Sequence, residues 1–194
     1  DLADVPAAAR RAGVEVVAIT DHDRVHPSLD APVSRADGVT VVHGIELRVR
    51  AGGKGNVPGD REVDLLGYGV EPTHELVGEV DRLQRDRVER GTAMIERVEA
   101  HLGIDLGIEA HEGFGRPHVA RAIADHPDAP YGVAGAFDHL VSEDGPCYVP
   151  RDLPSFERGR DLLCAACALV GLTHPLRFGD PEAALALTRD LDAV

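Results

Sequence analysis

The segment AITDHD, residues 18–23, passes from apolar to acidic residues within six positions. Asp21, His22 and Asp23 stand side by side directly after a run that is typical of a buried strand. Imidazole and carboxylate groups together suit Zn, Mn or Fe, and a carboxylate can bridge two ions. The triplet therefore predicts that this strand reaches the rim of a metal site.

Further imidazole and carboxylate groups lie within or just after three other apolar segments. They are His43 and Glu46 in 38–49, Asp64 in 61–70, and His174 after 168–173. A lone histidine at a strand end is usually only a polar cap. Functional residues of α/β folds collect at the carboxyl ends of strands, so we expect several of these groups to converge on one face.

Apolar runs alternate with amphipathic stretches along the chain, which predicts an α/β fold with largely parallel strands. The predicted strands are 14–20, 38–49, 61–70 and 168–173, with the start of another at 192–194. The predicted helices are 74–102, 115–126, 132–141, 155–168 and 180–191. The Gly-rich stretch 51–60 is predicted to be a turn, since it lacks the Gly-Lys-Ser/Thr ending of a phosphate loop.

The charge restricts the class of partner. The 194 residues carry 34 acidic and 20 basic side chains, for a net charge of −14. Such a surface repels nucleic acid unless metal ions or arginine clusters intervene, so it favours small substrates. A solvated acidic face explains the excess, and the composition also resembles proteins of salt-loving organisms. No apolar run approaches the roughly 20 residues of a membrane span, so we expect no membrane partner and a cytoplasmic location.

The three cysteines, Cys147, Cys164 and Cys167, do not form a disulfide framework. Cys164 and Cys167 form a CAAC motif inside a segment typical of an apolar helix, and no second cysteine pair exists. We expect these two thiols to pack in the core, with metal or redox use as the alternative.

Six segments in order resemble the polymerase-and-histidinol-phosphatase (PHP) family of metal-dependent phosphoesterases, similar to those of salt-loving archaea. They are VVAITDHD, VVHGIELR, VDLLGYG, GFGRPHVARAI, CYVPRDL and ALVGLTHP. TDHD alone is weak, whereas GRPH followed by THP is specific. The resemblance spans nearly the whole chain and implies one domain over 1–194, folded as a distorted (β/α)7 TIM-like barrel. It also implies two or three divalent ions (Mn, Zn, Fe or Mg) and hydrolysis of phosphate esters.

By the same resemblance, four residues are expected to be metal ligands: His22, Glu46, Asp64 and His174. Glu46 matches the carboxylate that bridges ions. Asp64 stands where the family usually has histidine, and its harder, anionic carboxylate favours Mn or Mg over Zn. His22 and the neighbouring Asp21 are also assigned to catalysis.

Three residues are expected to handle the phosphate group. His118, in GRPH, lies at a helix start, where free N–H groups and the helix dipole favour anions. By the resemblance, His118 contacts phosphate or a metal and takes part in catalysis, and Arg116 beside it is expected to assist in phosphate binding. Arg90, in the long helix, is a second phosphate-clamp candidate, and a solvated helix face is the alternative.

Two departures from the family pattern concern the chain ends. The family opens with a His-x-His strand and closes with a strand that ends in Asp-x-His, and neither motif is present. We expect the first and last barrel strands to lie outside these 194 residues. The predicted function is hydrolysis of a small phosphomonoester, a nucleotide or an oligonucleotide end by a metal-activated water. The alternatives are a catalytically degenerate metal- or nucleotide-binding regulatory domain, or another hydrolysis such as deamination on the same site.

Overall fold

The chain divides into two compact units, and each is described by itself. The computed structural model describes residues 2–52, 61–175, 182 and 186–193. The first unit comprises Asp1–Val80 with Leu153–Val194, and the second comprises Asp81–Asp152. That 1–194 form one domain stays a prediction.

The first unit is built on a five-stranded mixed sheet. Its strands are β1 (Val16–His22), β2 (Val33–Ala36), β3 (Val39–Ala51), β4 (Arg61–Val70) and β5 (Cys167–Leu172). The order is β1-β3-β4-β5, and β2 pairs with β3. Only β1 and β3 pair in parallel, whereas β2, β4 and β5 pair with their neighbours antiparallel.

The expectation of largely parallel strands is therefore wrong for the described sheet. Because β4 is antiparallel to both of its neighbours, β1, β3 and β5 still run in the same direction. The α/β class is confirmed, but the described sheet does not close into a barrel. Strand β2 was not predicted, since VSRA is short and polar.

The two faces of β3 have different roles. Odd-numbered side chains such as Ile45, Leu47 and Val49 are fully buried, whereas even-numbered ones such as Glu46 and Arg48 are half-buried on the opposite face. This period of two is the geometry of a strand. One face therefore supplies the core, and the other presents charged groups.

Helices α1 (Val5–Arg11) and α5 (Phe156–Ala166) belong to this unit, and α5 contacts β3, β4 and β5. Helix α5 approaches β3 closely at Gly159, where an added Cβ would collide with the Val49 side chain. The predicted helix 155–168 ends two residues early, because Cys167 already begins β5.

The core-packing prediction for the CAAC motif is wrong for Cys164, which is exposed, and Cys167 is half-buried. All three cysteines are free, and burial raises the pKa of Cys167 to about 12. A thiol with so high a pKa is a poor nucleophile and metal ligand at neutral pH.

The second unit is helical. Helix α2 (His74–Leu102) was predicted at the same bounds, and it belongs to this unit from residue 81 onwards. It is followed by helices α3 (Arg116–Asp125) and α4 (Val133–Ala136). Helix α4 continues as a π-helical turn (Phe137–Val141). Their apolar faces meet α2 in a core that includes Met94, Val98, Phe114, Ile123 and Leu140.

Two predictions fall partly outside the described residues. The predicted turn 51–60 lies almost wholly there, and of the predicted helix 180–191 the structure describes residues 182 and 186–191. Within that part, Thr188–Asp190 form a short 3-10 helix, and Ala193 bridges Gly171 of β5. None of the described helices is both long enough and apolar enough to cross a membrane.

Candidate metal centre

Glu46 is the centre of a cluster of metal-ligating groups. Its Oε2 lies 3.8 Å from Nε2 of His22, and its Oε1 lies 3.6 Å from Nε2 of His174. The Glu46 side chain is 13% exposed, and the two imidazoles are about half exposed. Glu46 Oε1 is buried and has no hydrogen-bond partner among the described residues.

These separations suit an intervening ion better than direct hydrogen bonds. Both exceed the usual hydrogen-bond range. Two ligands that share one ion at about 2.0–2.2 Å are themselves about 3–4 Å apart. A buried carboxylate oxygen without a donor is also costly, and a cation would remove that cost. The residues therefore fit a divalent ion, and each oxygen of Glu46 has its own imidazole.

Strand register brings His22 to Glu46. The parallel pairing of β1 with β3 places the two residues directly opposite each other. Asp23 then fixes the junction: its N–H donates to the Glu46 carbonyl at 2.8 Å, and its Oδ1 accepts from Arg48 N–H at 2.9 Å. Asp23 is fully buried and has a left-handed backbone, with φ of 50°. It thus holds the backbone of β3 through these two hydrogen bonds.

His174 is positioned by the end of β5. Thr173 donates its N–H and its hydroxyl to the Asp64 carbonyl, at 3.0 and 3.2 Å. His174 follows with φ of 48°, a conformation uncommon for residues other than glycine. Strained backbone of this kind persists where the surroundings hold it and is frequent at functional sites.

Asp64 lies beside the cluster but is already paired. One ligand atom from each of His22, Glu46 and Asp64 lies within 4.8 Å of the others, the only such group found among the described residues. Both oxygens of Asp64 accept from Arg48, at 2.7 Å from Nε and 2.8 Å from Nη2. This ion pair raises the pKa of Arg48 well above its usual range.

Asp21 does not join the cluster. It pairs with Ile45 on β3, so strand alternation directs it to the face opposite His22 and Glu46. Its charge acts instead on His43, whose buried ring lies on the core side. Asp21 and His22 are adjacent in the sequence, which suggested a shared role. In a strand, however, adjacent side chains point to opposite faces of the sheet, so the two do not meet.

A cavity of about 470 Å³ opens beside Glu46 and His174. Tyr68 lines it, and burial, together with the Glu46 charge, raises the pKa of Tyr68. The remaining lining is largely apolar or backbone, including Leu66, Gly171 and Leu172. The cavity has room for a small substrate group next to the candidate ligands.

His118, Arg116 and Arg90 belong to the second unit. His118 lies in the first turn of α3, and its Nδ1 accepts from Gly115 N–H at 3.1 Å. The neutral ring therefore carries its proton on Nε2. The exposed ring stacks on Phe114, with centroids 5.1 Å apart, so its orientation is fixed.

Arg90 and Arg116 share an aromatic neighbour. Their guanidinium groups lie 5.9 and 5.7 Å from the ring centroid of Tyr148. Arg90 is 7% exposed and donates to the Val149 carbonyl at 2.6 Å, so the alternative of a solvated helix face is wrong. Burial, and then the charges of Arg151 and Arg116, lower the pKa of Arg90. We call Arg90, Arg116 and Arg151 the arginine cluster.

Sequence reasoning missed several residues of both regions: Arg48, Tyr68, Tyr148 and Arg151. Arg48 stands two positions after Glu46, so the period of a strand could have placed it on the same face. Arg151 lies within CYVPRDL, one of the segments that carry the resemblance. It does not adjoin a predicted helix start or strand end, so its position did not identify it as a candidate functional residue.

No family model matches the chain, and no curated protein matches its sequence. Solved structures share its fold, among them the following two. A protein from Bifidobacterium adolescentis, described as a "putative metal-dependent phosphoesterase", superposes with a TM-score of 0.72 at 23% identity, over 98% of this chain and 70% of that one. An amidohydrolase from Chromobacterium violaceum, with bound sulfate and no metal, superposes with a TM-score of 0.65 at 21% identity, over 94% of this chain and 68% of that one. The chain thus has the fold of two proteins described as hydrolases.

Proposed function

We propose that the chain is a metal-dependent phosphoesterase of the PHP type. The observation that carries the proposal is Glu46, a buried carboxylate that presents one oxygen to each of two imidazoles at 3.8 and 3.6 Å. The fold shared with the Bifidobacterium protein and the order of the PHP-like segments support the same conclusion.

In this proposal His22, Glu46 and His174 hold divalent ions, with Asp64 within reach. A bound divalent ion lowers the pKa of water and polarises the phosphoryl group. The chain's own part is to present the two imidazoles through Nε2, one to each oxygen of Glu46. Tyr68 and the largely apolar walls of the cavity lie next to the site.

For the second unit, taken by itself, we propose that His118 and Arg116 bind a phosphate anion. His118 offers an N–H at Nε2, and Arg116 offers a guanidinium fixed against Phe137 at 5.2 Å. A positioned imidazole N–H or guanidinium stabilises charge that develops on phosphoryl oxygens. The sulfate of the Chromobacterium neighbour shows that a protein of this fold binds a tetrahedral anion.

A small phosphorylated molecule is the proposed substrate. The net charge of −14 opposes association with a long polyanion, whereas a monoester or nucleotide carries few charges and is drawn by local cations. Manganese, zinc, iron and magnesium are all candidates for the ion.

The test combines metal analysis with a phosphate-release screen. The purified chain is loaded with Mn²⁺, Zn²⁺ or Mg²⁺, dialysed and assayed for bound metal, and then offered a panel of phosphomonoesters, nucleotides and oligonucleotide ends. We expect bound divalent ion and phosphate release that a chelator abolishes. Glu46→Gln and His174→Ala should lose both, whereas the exposed His74→Ala, in the same unit, should lose neither.

The alternatives give different results in the same experiment. A degenerate regulatory domain would bind metal and release no phosphate from any member of the panel. The amidohydrolase neighbour favours adding amide and amidine substrates to the panel. Metal-dependent turnover of those alone would replace the phosphoesterase proposal with amide or amidine hydrolysis.

A further inference from the structure

Arg48 makes the strongest ion pair next to the candidate metal centre. It faces Asp64 directly across the antiparallel β3–β4 pair. Two parallel hydrogen bonds, at 2.7 and 2.8 Å, join the guanidinium to both carboxylate oxygens. Such a two-point fork is the most favourable geometry for an Arg–carboxylate pair. The Asp64 side chain is 11% exposed, so water competes weakly for it.

The backbone around Arg48 is fixed as well. Asp23 Oδ1 accepts the Arg48 N–H, and Asp23 N–H donates to the Glu46 carbonyl. The side chain is held from a second direction by Glu62, 3.8 Å from Nη1. Arg48 is therefore a fixed positive charge two residues from Glu46 on the same face of β3. It does not need to move in order to hold Asp64.

A fixed cation at this place affects a divalent ion in two ways. It engages the oxygens that Asp64 would otherwise offer, and it cancels the Asp64 charge that would attract the ion. Glu46 and the two imidazoles lack such a partner, and Glu46 Oε1 has no hydrogen bond within the described part of the chain. The ligands that are ready for an ion are thus two imidazoles and one carboxylate.

We propose that Arg48 is a positioning residue that competes with the divalent ion for Asp64 and so sets which ion the centre prefers. With Asp64 held by Arg48, the ion depends more on imidazole, which suits transition-metal ions such as Zn²⁺ or Fe²⁺ and is a poor ligand for Mg²⁺. With Asp64 released, a second carboxylate becomes available and Mg²⁺, which prefers oxygen ligands, gains most. The inference rests on the proposed metal centre.

The test measures Mn²⁺ and Mg²⁺ dissociation constants of the whole chain by calorimetry and equilibrium dialysis. Arg48→Gln should bind Mg²⁺ about tenfold more tightly, because the Asp64 carboxylate and its charge become available to the ion, and it should gain less for Mn²⁺. Arg50→Gln is the matched control, because it removes the same charge from the same face of β3, two positions away. It should change both ions equally and by a smaller factor.

The double variant Arg48→Gln/Asp64→Asn keeps the net charge of the parent and should return to the parent's affinities. If the double variant loses the ion, Asp64 is already a ligand. If Arg48→Gln binds Mg²⁺ more weakly than the parent, Arg48 assists the ion. Either result overturns the proposal. Should Arg48→Gln not fold, Arg48→Lys keeps the charge without the fork and should tighten Mg²⁺ about threefold. If the parent and every variant bind neither ion, the metal centre itself fails, which is distinct from failure of the Arg48 proposal alone.

Discussion

The two units gather charge in opposite ways. In the sheet unit, two carboxylates lie beside imidazoles or a cation: strand register places Glu46 beside His22 and Asp64 against Arg48, and the end of β5 brings His174 to Glu46. In the helical unit, Arg90 and Arg116 of the arginine cluster lie over the Tyr148 ring, and the charge of Arg151 acts on the buried Arg90. The first arrangement suits a cation, and the second suits an anion.

The energetic contrast is equally plain. Glu46 lacks a donor for one oxygen, so a metal ion would lower the free energy of the folded sheet unit. In the arginine cluster, like charges are partly desolvated together, and this lowers the pKa of Arg90. A bound phosphate would relieve that repulsion.

The largest expected effect is on the sheet unit alone. Glu46→Gln keeps the shape of the side chain but removes the charge, and it should weaken divalent-metal binding by about 100-fold and reduce phosphate release to background. In the presence of a chelator its melting temperature should equal or exceed that of the parent, since a neutral amide replaces the carboxylate whose buried Oε1 has no hydrogen-bond partner among the described residues. Calorimetry and thermal denaturation measure both quantities. Metal retention by this variant, with the exposed Glu71→Gln as control, would break the assignment of the cation site.

A comparison of His22 with His118 sharpens the contrast between the units. His22→Ala should lower metal content and turnover together. His118→Ala should keep the metal content of the parent and lose about 2–4 kcal/mol of transition-state stabilisation, as with other lost charge-stabilising donors. Metal stoichiometry and kcat/KM on both variants decide this. If His118→Ala also loses metal, His118 is a ligand and the division of roles is wrong.

A smaller effect is expected from the arginine cluster. Arg116→Gln removes one guanidinium that packs on Phe137 and Tyr148, and it should weaken binding of inorganic phosphate by about 1.5–3 kcal/mol, the range for a hydrogen bond to a charged group. Calorimetric titration with phosphate measures the loss. Arg121→Gln, exposed on the same helix, is the control. Equal phosphate affinity in both variants would remove Arg116 from the anion site.

The smallest effect concerns pH and His43. Burial, and then the His26 charge, lower the pKa of His43 in the folded state, while Asp21 opposes them. The unfolded chain then binds the proton more readily than the folded one, so stability falls as the pH drops from the ordinary histidine pKa of about 6.5 towards the folded value. The melting temperature of the parent should fall more than that of His43→Gln between pH 7.5 and 5.5, in chelator. An equal fall in the melting temperatures of the parent and His43→Gln would contradict the lowered pKa of His43.

Much of the local structure could be predicted from sequence. Helical periodicity gave α2 its bounds, and apolar runs identified β3, β4 and β5 within a few residues. The approach of His22, Glu46 and His174 also followed from their places near strand runs. These features depend on short stretches of chain, for which period and termination signals are sufficient.

The rest depended on pairing between distant strands. Arg48 meets Asp64 only because β3 and β4 pair antiparallel in one register, and a shift by one residue would separate them. The same limit explains Asp21, which strand alternation turns away from His22. The burial of Arg90 could not be predicted, because the sequence of a long helix does not show which of its faces another segment covers. Here the segment around Tyr148 and Val149 covers the face that carries Arg90.

The most direct test of the metal centre is a crystal structure of the chain soaked in Mn²⁺, with anomalous diffraction recorded at the manganese edge. We expect an anomalous peak within about 2.0–2.3 Å of a Glu46 carboxylate oxygen and of Nε2 of His22 or His174, in the range of metal–ligand distances for imidazole and carboxylate. Arg48 should remain on Asp64 in the same map. A fully occupied manganese elsewhere, with Glu46 unliganded, would contradict the account.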